Sequence, residues 1–349
     1  MTSSRTLRWA VPAVAVGLVA GVAVLPSALA ADTPDELAPR TAQQLLVDLA
    51  EQRATALSGT VVQTSRLGLP ELPDTGGATG PLSLATGSHT LRVWADGPER
   101  LRVALLGTLD EYDVVRSGRD VWTYSSSQDE AVHRVLPEKE PGAPEPVVSG
   151  APSTPAEAAD SVLAAIDPTT AVAVDDAVTV AGRTARQLVL TPQDDQTLVG
   201  SVRLAVDAET SAPLRVQVFA TADATLPALE VGFTDVTFDA PDPAVFAFTP
   251  PPGATVVEPE TTRLPDERPG ERPDAAGAGP VVLGSGWSSV LVLDVSGAEA
   301  VQDQPLLDQL TRRVPEGRLL TSALVSVLLT DDGRLLVGAV APAVLQAAA

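Results

Sequence analysis

Apolar and polar residues alternate with a period of two through most of this chain, which predicts a meandering antiparallel sheet. Over His89–Ala95, Leu91, Val93 and Ala95 fall on one side and Arg92 and Trp94 on the other. Asp96-Gly97-Pro98 turns the chain. Glu99–Leu106 then alternates again, with Leu101, Val103 and Leu105 opposite Arg100 and Arg102. A strand from Leu57 to about Leu67 precedes this pair, and Glu111–Arg116, Val121–Ser125 and Ala131–Leu136 follow it. The pattern resumes over Ala177–Val180, Thr184–Leu190, Ser201–Asp207, Pro213–Ala220, Leu229–Phe238 and Val245–Thr249. The two acidic pairs, Asp175-Asp176 and Asp331-Asp332, read as turns between strands, because aspartate tolerates left-handed backbone.

Two segments carry a helical period instead. Thr41 and Gln44 make a capping-box pattern ahead of Leu45, Leu46 and Leu49. Thr154-Pro155-Ala156-Glu157 supplies an N-cap, a proline at the first helical position and a capping box. Ala159, Val162, Leu163 and Ile166 then share one face, and Pro168 ends the helix. Pro70–Ser88 and Pro137–Ser153 read as loops. Together these elements predict an α+β fold: residues 41–257 form one strongly curved antiparallel sheet with two helices on its concave side.

From Pro250 to Pro280, Pro, Glu, Asp, Arg and Gly dominate, and such a stretch buries too little apolar area to order itself. It reads as a tether, with the linker proper at 258–280 and a small α+β domain at 281–349. In that domain Trp287–Val295 is expected as a strand and Gln304–Val314 as an amphipathic helix. Arg318–Leu329 and Arg334–Val340 are expected as a hairpin.

The chain starts with an apolar run, Trp9–Leu25, behind Arg5 and Arg8, followed by Pro26 and the small-x-small triplet Ala28-Leu29-Ala30. This predicts an export signal over 1–30, a leader over 31–40, and a protein of the cell envelope, secreted or held by an uncleaved anchor. The formal charge of −22 becomes −24 without that segment, which carries two arginines and no acid. So acidic a surface repels phosphate backbones, so nucleic acid is not an expected partner. The absence of cysteine removes disulfides, thiolate chemistry and N-terminal acylation.

Catalytic residue types are scarce. His89 and His133 read as solvated strand residues, and no nucleophile-and-base pairing, metal-ligand spacing or phosphate loop is evident. Neither enzymatic activity nor a cofactor is expected. The apolar faces carry more information. Leu91, Val93, Leu101, Val103 and Leu105 would lie together on adjacent strands, and Trp122 and Tyr124 add rings that suit a cavity mouth. The plainer alternative is a sheet-on-helix core.

Trp94-Ala-Asp-Gly-Pro-Glu-Arg-Leu-Arg-Val103, Val121-Trp-Thr-Tyr124 and Phe246-Ala-Phe-Thr-Pro-Pro-Pro-Gly253 occur in that order, with the helix at Pro155 between the second and third. From Thr41 to Val257 this arrangement resembles the LolA/RseB superfamily of exported, lipid-binding proteins. The resemblance implies a half-barrel holding acyl groups between sheet and helices, with the Leu101/Val103 face against the ligand. Two departures stand out. Gly97, behind Asp96, occupies the position where LolA carriers commonly have a basic residue before the proline, and no cysteine is present for acylation. The resemblance implies a lipid or acylated protein as partner, or a membrane protein such as an ABC transporter. Its RseB branch implies the alternative, a regulator that binds an anti-sigma factor through a surface including the C-terminal domain.

Overall fold

The computed structural model describes residues 40–51, 56–69, 80–136, 152–258, 281–295 and 310–349. The expected export signal, nearly all of the leader, most of the linker and residues 304–309 of the expected C-terminal helix lie outside the described residues.

The first meander runs through β1 (Leu57–Ser65), β2 (Gly87–Ala95), β3 (Arg100–Leu106), β4 (Glu111–Ser117), β5 (Asp120–Ser125) and β6 (Glu130–Val135). The second runs through β7 (Ala171–Val180), β8 (Arg183–Thr191), β9 (Val199–Asp207), β10 (Pro213–Ala220) and β11 (Leu229–Thr237). β1 pairs antiparallel with β11 and joins the two meanders into one sheet. A twelfth strand, β12 (Thr255–Val257), adds to the β6 edge in parallel. The spatial order is β12-β6-β5-β4-β3-β2-β1-β11-β10-β9-β8-β7. The expected all-antiparallel sheet is thus corrected at one edge. There Thr255–Val257, inside the Pro-rich stretch, covers what would otherwise be a free row of donors and acceptors.

The seam between the meanders is tight at Gly59. A Cβ there would lie 2.3 Å from the Asp235 carbonyl oxygen, beside the register shift opposite Thr60 and Val61. At the other end the sheet curls. β7 contacts β11, although four strand spacings would hold the two about 19 Å apart in a flat sheet. The chain beyond β11 also meets the β7–β8 turn, where the Arg183 guanidinium sits 4.7 Å from the Phe238 ring centroid.

α1 (Ala42–Glu51) is capped as its sequence predicts. The Thr41 N–H donates to Gln44 Oε1 at 3.0 Å, and the Gln44 N–H to Thr41 Oγ1 at 3.2 Å. α2 (Pro155–Ala165) begins with the Glu157 N–H donating to Thr154 Oγ1 at 3.2 Å. α2 lies against β10 and β11, and α1 reaches β7. Leu45 and Leu49 of α1 and Ala158, Ala159 and Val162 of α2 join one apolar cluster with the sheet. Among the described residues, these two short α-helices and a 3₁₀ helix at Pro81–Ala85, whose Leu84 joins the same cluster, supply the helical cover of this large sheet.

Several local expectations are corrected. Val245–Thr249 is not a strand. Asp242 Oδ1 accepts from the Ala244 N–H at 2.9 Å and Pro243 sets the first turn, so Pro243–Phe246 forms a 3₁₀ turn that buries Phe246. Asp175 and Asp176 lie inside β7, at its register shift, and not in a turn. In the C-terminal unit Gly286–Ser288 is a 3₁₀ turn ahead of the strand. Residues 312–314, expected at the end of a helix, form a strand, and Arg318–Leu329 is two strands, because Ser322 Oγ accepts from the Val325 N–H and closes a turn.

That unit is a six-stranded sheet. β13 (Val281–Leu283), β14 (Val290–Asp294), β15 (Arg312–Val314), β16 (Gly317–Thr321), β17 (Ser326–Thr330) and β18 (Arg334–Gly338) are ordered β13-β14-β18-β17-β16-β15. α3 (Pro342–Ala348) packs Leu345 against Val290, Leu319, Leu328 and Leu336. The two sheets are joined by backbone bonds. The Leu198 N–H donates to Ala339 O at 2.8 Å, the Ala341 N–H to Gln196 O at 3.0 Å, and the Ala323 N–H to Leu67 O at 2.8 Å. Trp287 is buried in the larger cluster and its Nε1–H donates to Thr170 Oγ1 at 2.8 Å.

Candidate functional site: an apolar face with an open end

Residues directly opposite in an antiparallel sheet share a face, so the register traces the apolar side strand by strand. Val61, Leu91, Leu105 and Tyr112 form one row across β1–β4. Gly59, Val93, Val103 and Val114 form the next, and Leu57, Ala95, Leu101 and Arg116 the third. On the other side of the seam the face continues through Val231, Val216, Leu204 and Leu188. Gln63 is its polar interruption. Wholly buried, Gln63 donates from Nε2 to Ser65 Oγ at 2.9 Å and to Leu84 O at 2.7 Å.

Five of the seven residues expected at a cavity lie on this face, and four of them are enclosed by the chain itself. Leu91 is 1%, Val93 2%, Leu105 3% and Val103 6% exposed. Around β1–β3 the face is therefore a packed core. Leu101 is half-buried, and beyond it the cover gives out. Tyr112, Val114, Val121 and Val132 carry the same face across β4, β5 and β6, and each is partly exposed. These four were missed in the sequence. The alternation in Tyr112-Asp-Val114, Val121-Trp-Thr123 and Ala131-Val-His133 contains them, but only when each strand is registered on its neighbour.

Trp122 and Tyr124 lie on the opposite face. Trp122 pairs with Val115 and Tyr124 with Asp113, whereas Val114, which is on the Leu101/Val103 side, pairs with Thr123. The two rings hold a different part of the chain. Phe248 packs 5.5 Å from the Trp122 centroid and 6.0 Å from Tyr124, so the Phe-x-Phe segment is fastened to the outside of the sheet. His133 stacks on Trp122 at 4.3 Å and its Nε2 is 2.9 Å from Asp120 Oδ1. Nearby, Trp94 has the guanidinium groups of Arg92 and Arg102 each 5.5 Å from its ring. Arg102 reaches Asp113 with both Nε and Nη2.

His89 Nε2 donates to the Thr86 carbonyl at 2.7 Å, which employs the ring in the β2 entry turn. Among the described residues no three His, Asp or Glu side chains gather as a metal site. No helix among them is long and apolar enough to cross a membrane.

Neither a family model nor a curated protein matches the chain. Solved structures do. The MucA/MucB complex of Pseudomonas aeruginosa is 18% identical, covering 88% of this chain and 96% of that one at a TM-score of 0.44. An uncharacterized conserved protein from Thermus thermophilus is 15% identical, covering 62% and 98% at 0.37. The LolA superfamily protein NE2245 of Nitrosomonas europaea is 12% identical, covering 60% and 99% at 0.22. Each of these is a distant likeness, below 20% identity.

Proposed function

We propose that the chain is a non-enzymatic protein of the cell envelope that holds the acyl chain of a lipid or lipidated protein on its apolar face. The observation carrying this reading is that the apolar face extends past its helical cover. Leu101, Tyr112, Val114, Val121 and Val132 form a shelf of partly exposed side chains continuous with a packed core. An acyl chain laid there would gain about 0.8 kcal/mol for each methylene removed from water, before the entropy of association is subtracted.

Native mass spectrometry of the protein taken from its own host tests this, together with titration of a fluorescent acyl probe. A co-purifying lipid mass and probe binding that Val114→Asp abolishes are expected. A folded Val114→Asp protein that binds probe like the parent would sink the shelf as the site. A regulatory reading has a separate observation in its favour. β13 presents Val281, Val282 and Leu283, all exposed, at the edge of the C-terminal sheet, a place where a partner's extended segment can add as a strand. In the same spectra it requires a stoichiometric protein adduct and no lipid.

A further inference from the structure

Four strands end the two sheets, and three of them are blunt. β12, β13 and β15 are three residues each. β7 is ten residues long and ends the large sheet, with β8 on one side and no strand on the other. Its composition is that of a strand interior. Val172, Val174, Val178 and Val180 alternate with small residues, and it holds neither proline nor a basic side chain. α1 reaches β7, yet seven of the ten residues stay exposed, Val174 at 41%. A long apolar edge of this kind is where an extended segment adds as a further strand. It lies at the opposite end of the strand order from the shelf.

Only Asp175 and Asp176, at its centre, interrupt this edge with charge. Asp175 pairs with Gln187 and Val178 with Ala185, so Asp176 and Ala177 together stand opposite Arg186 in a bulge. Asp175 Oδ1 accepts from the Asp176 N–H at 3.0 Å, and Oδ2 from Gln187 Nε2 at 3.3 Å. The Asp176 carboxylate has no partner among the described residues. Arg186 Nη1 donates to Ala208 O at 3.2 Å. Two β7 edges brought together antiparallel would set these central acids against each other, in a chain of formal charge −22. Like charges facing across a strand pair are destabilising, and charges and bulges at an edge keep copies apart. A segment with lysine or arginine at that level meets the opposite condition.

We propose that the β7 edge takes up an extended, basic segment of a partner protein as an added strand, with lysine or arginine side chains beside Asp175 and Asp176. The same two acids turn away a second copy of this chain. This reading is independent of acyl binding. It is tested on the full chain with three labelled peptides as long as β7, alternating threonine and valine and carrying two lysines, two glutamates or two further threonines at the centre. By fluorescence anisotropy the lysine peptide should bind about tenfold more tightly than the neutral one, as contacts to two exposed carboxylates would give. The glutamate peptide should bind more weakly than either. Methylating alternate backbone nitrogens of the lysine peptide should abolish binding, because strand addition uses those N–H groups. Amide exchange should slow along β7. Asp175→Asn combined with Asp176→Asn should bring the lysine and neutral peptides level, and Asp176→Asn alone, which costs that carboxylate no hydrogen bond, should shift binding the same way. A lysine peptide that fails to bind, or that still binds when methylated, would overturn the added strand. Slowed exchange at β13 and not at β7 would overturn its place. A lysine preference unchanged in the double variant would overturn the role of the two acids.

Discussion

At the scale of single residues the most constrained charge is Asp207, at the end of β9. It is 2% exposed. Arg183 grips it through Nε at 2.6 Å and Nη2 at 3.0 Å, and the Thr210 N–H and hydroxyl donate to Oδ2 at 2.9 and 2.8 Å. Burial pushes this carboxyl up, but the hydrogen bonds from Arg183 and Thr210 outweigh it and hold the group below its ordinary range. A depressed carboxyl contributes stability that is present above its unfolded value of about 3.9 and is lost as pH falls through the folded value. Asp207→Asn should therefore cost about 2 kcal/mol near neutrality and flatten the acid limb of the stability curve. Urea melts between pH 2 and 6 measure this, and parallel acid limbs for parent and variant would refute it. That an acid would stand at the strand end before Ala208-Glu209-Thr210 is plain in the sequence. Its partner is not, because Arg183 opens the preceding strand and only the β8–β9 register brings the two together.

At the scale of elements, the alternation in β2 and β3 sorted Leu91, Val93, Leu101, Val103 and Leu105 correctly onto one face. It could not say how much of that face is filled. Val103 is enclosed, whereas Leu101 stands where the cover ends. Val103→Arg should unfold the large sheet, because a guanidinium there is buried without a partner. Leu101→Arg should cost roughly 1 kcal/mol or less, since its stem can lie on the shelf with the charge in water. Circular-dichroism melting of the two variants separates these outcomes, and equal losses would contradict the graded cover. Trp122 and Tyr124, expected at a cavity mouth, lie on the face opposite Leu101 and Val103. Alternation fixes relative faces within a strand, but the absolute face is set by register with the neighbour, and a shift of one residue inverts it. Helix starts were more legible, because the caps at Thr41 and Thr154 are local hydrogen bonds between residues three apart.

At the scale of the molecule, the Pro-rich stretch suggested two units on a tether. The described parts of those units are in contact. Trp287 sits in the core of the large sheet, and Ser288 donates to Asp194, whose carboxyl that bond and the Gln196 N–H hold below its usual range. Trp287→Ala should cost about 3–5 kcal/mol and free the smaller sheet from the larger. Scanning calorimetry should show one transition in the parent and two in the variant. A variant that still melts in a single step would mean that the backbone bonds at Leu198 and Ala341 suffice without the indole.

The sequence by itself determined the period-two strands, the two capped helices and which side chains of a given strand travel together, because these follow from steric rules and hydrogen bonds spanning a few residues. The alternation also pointed to one large curved sheet. Only the tertiary structure decided that β1 pairs with β11, far along the chain, that Thr255–Val257 closes the β6 edge, and that the aromatic pair lies outside the sheet. It also set Asp175 and Asp176 at a bulge on the free edge of β7. Pairings of this kind are chosen by the area buried and the register that fits, which are properties of two distant segments at once and of neither alone.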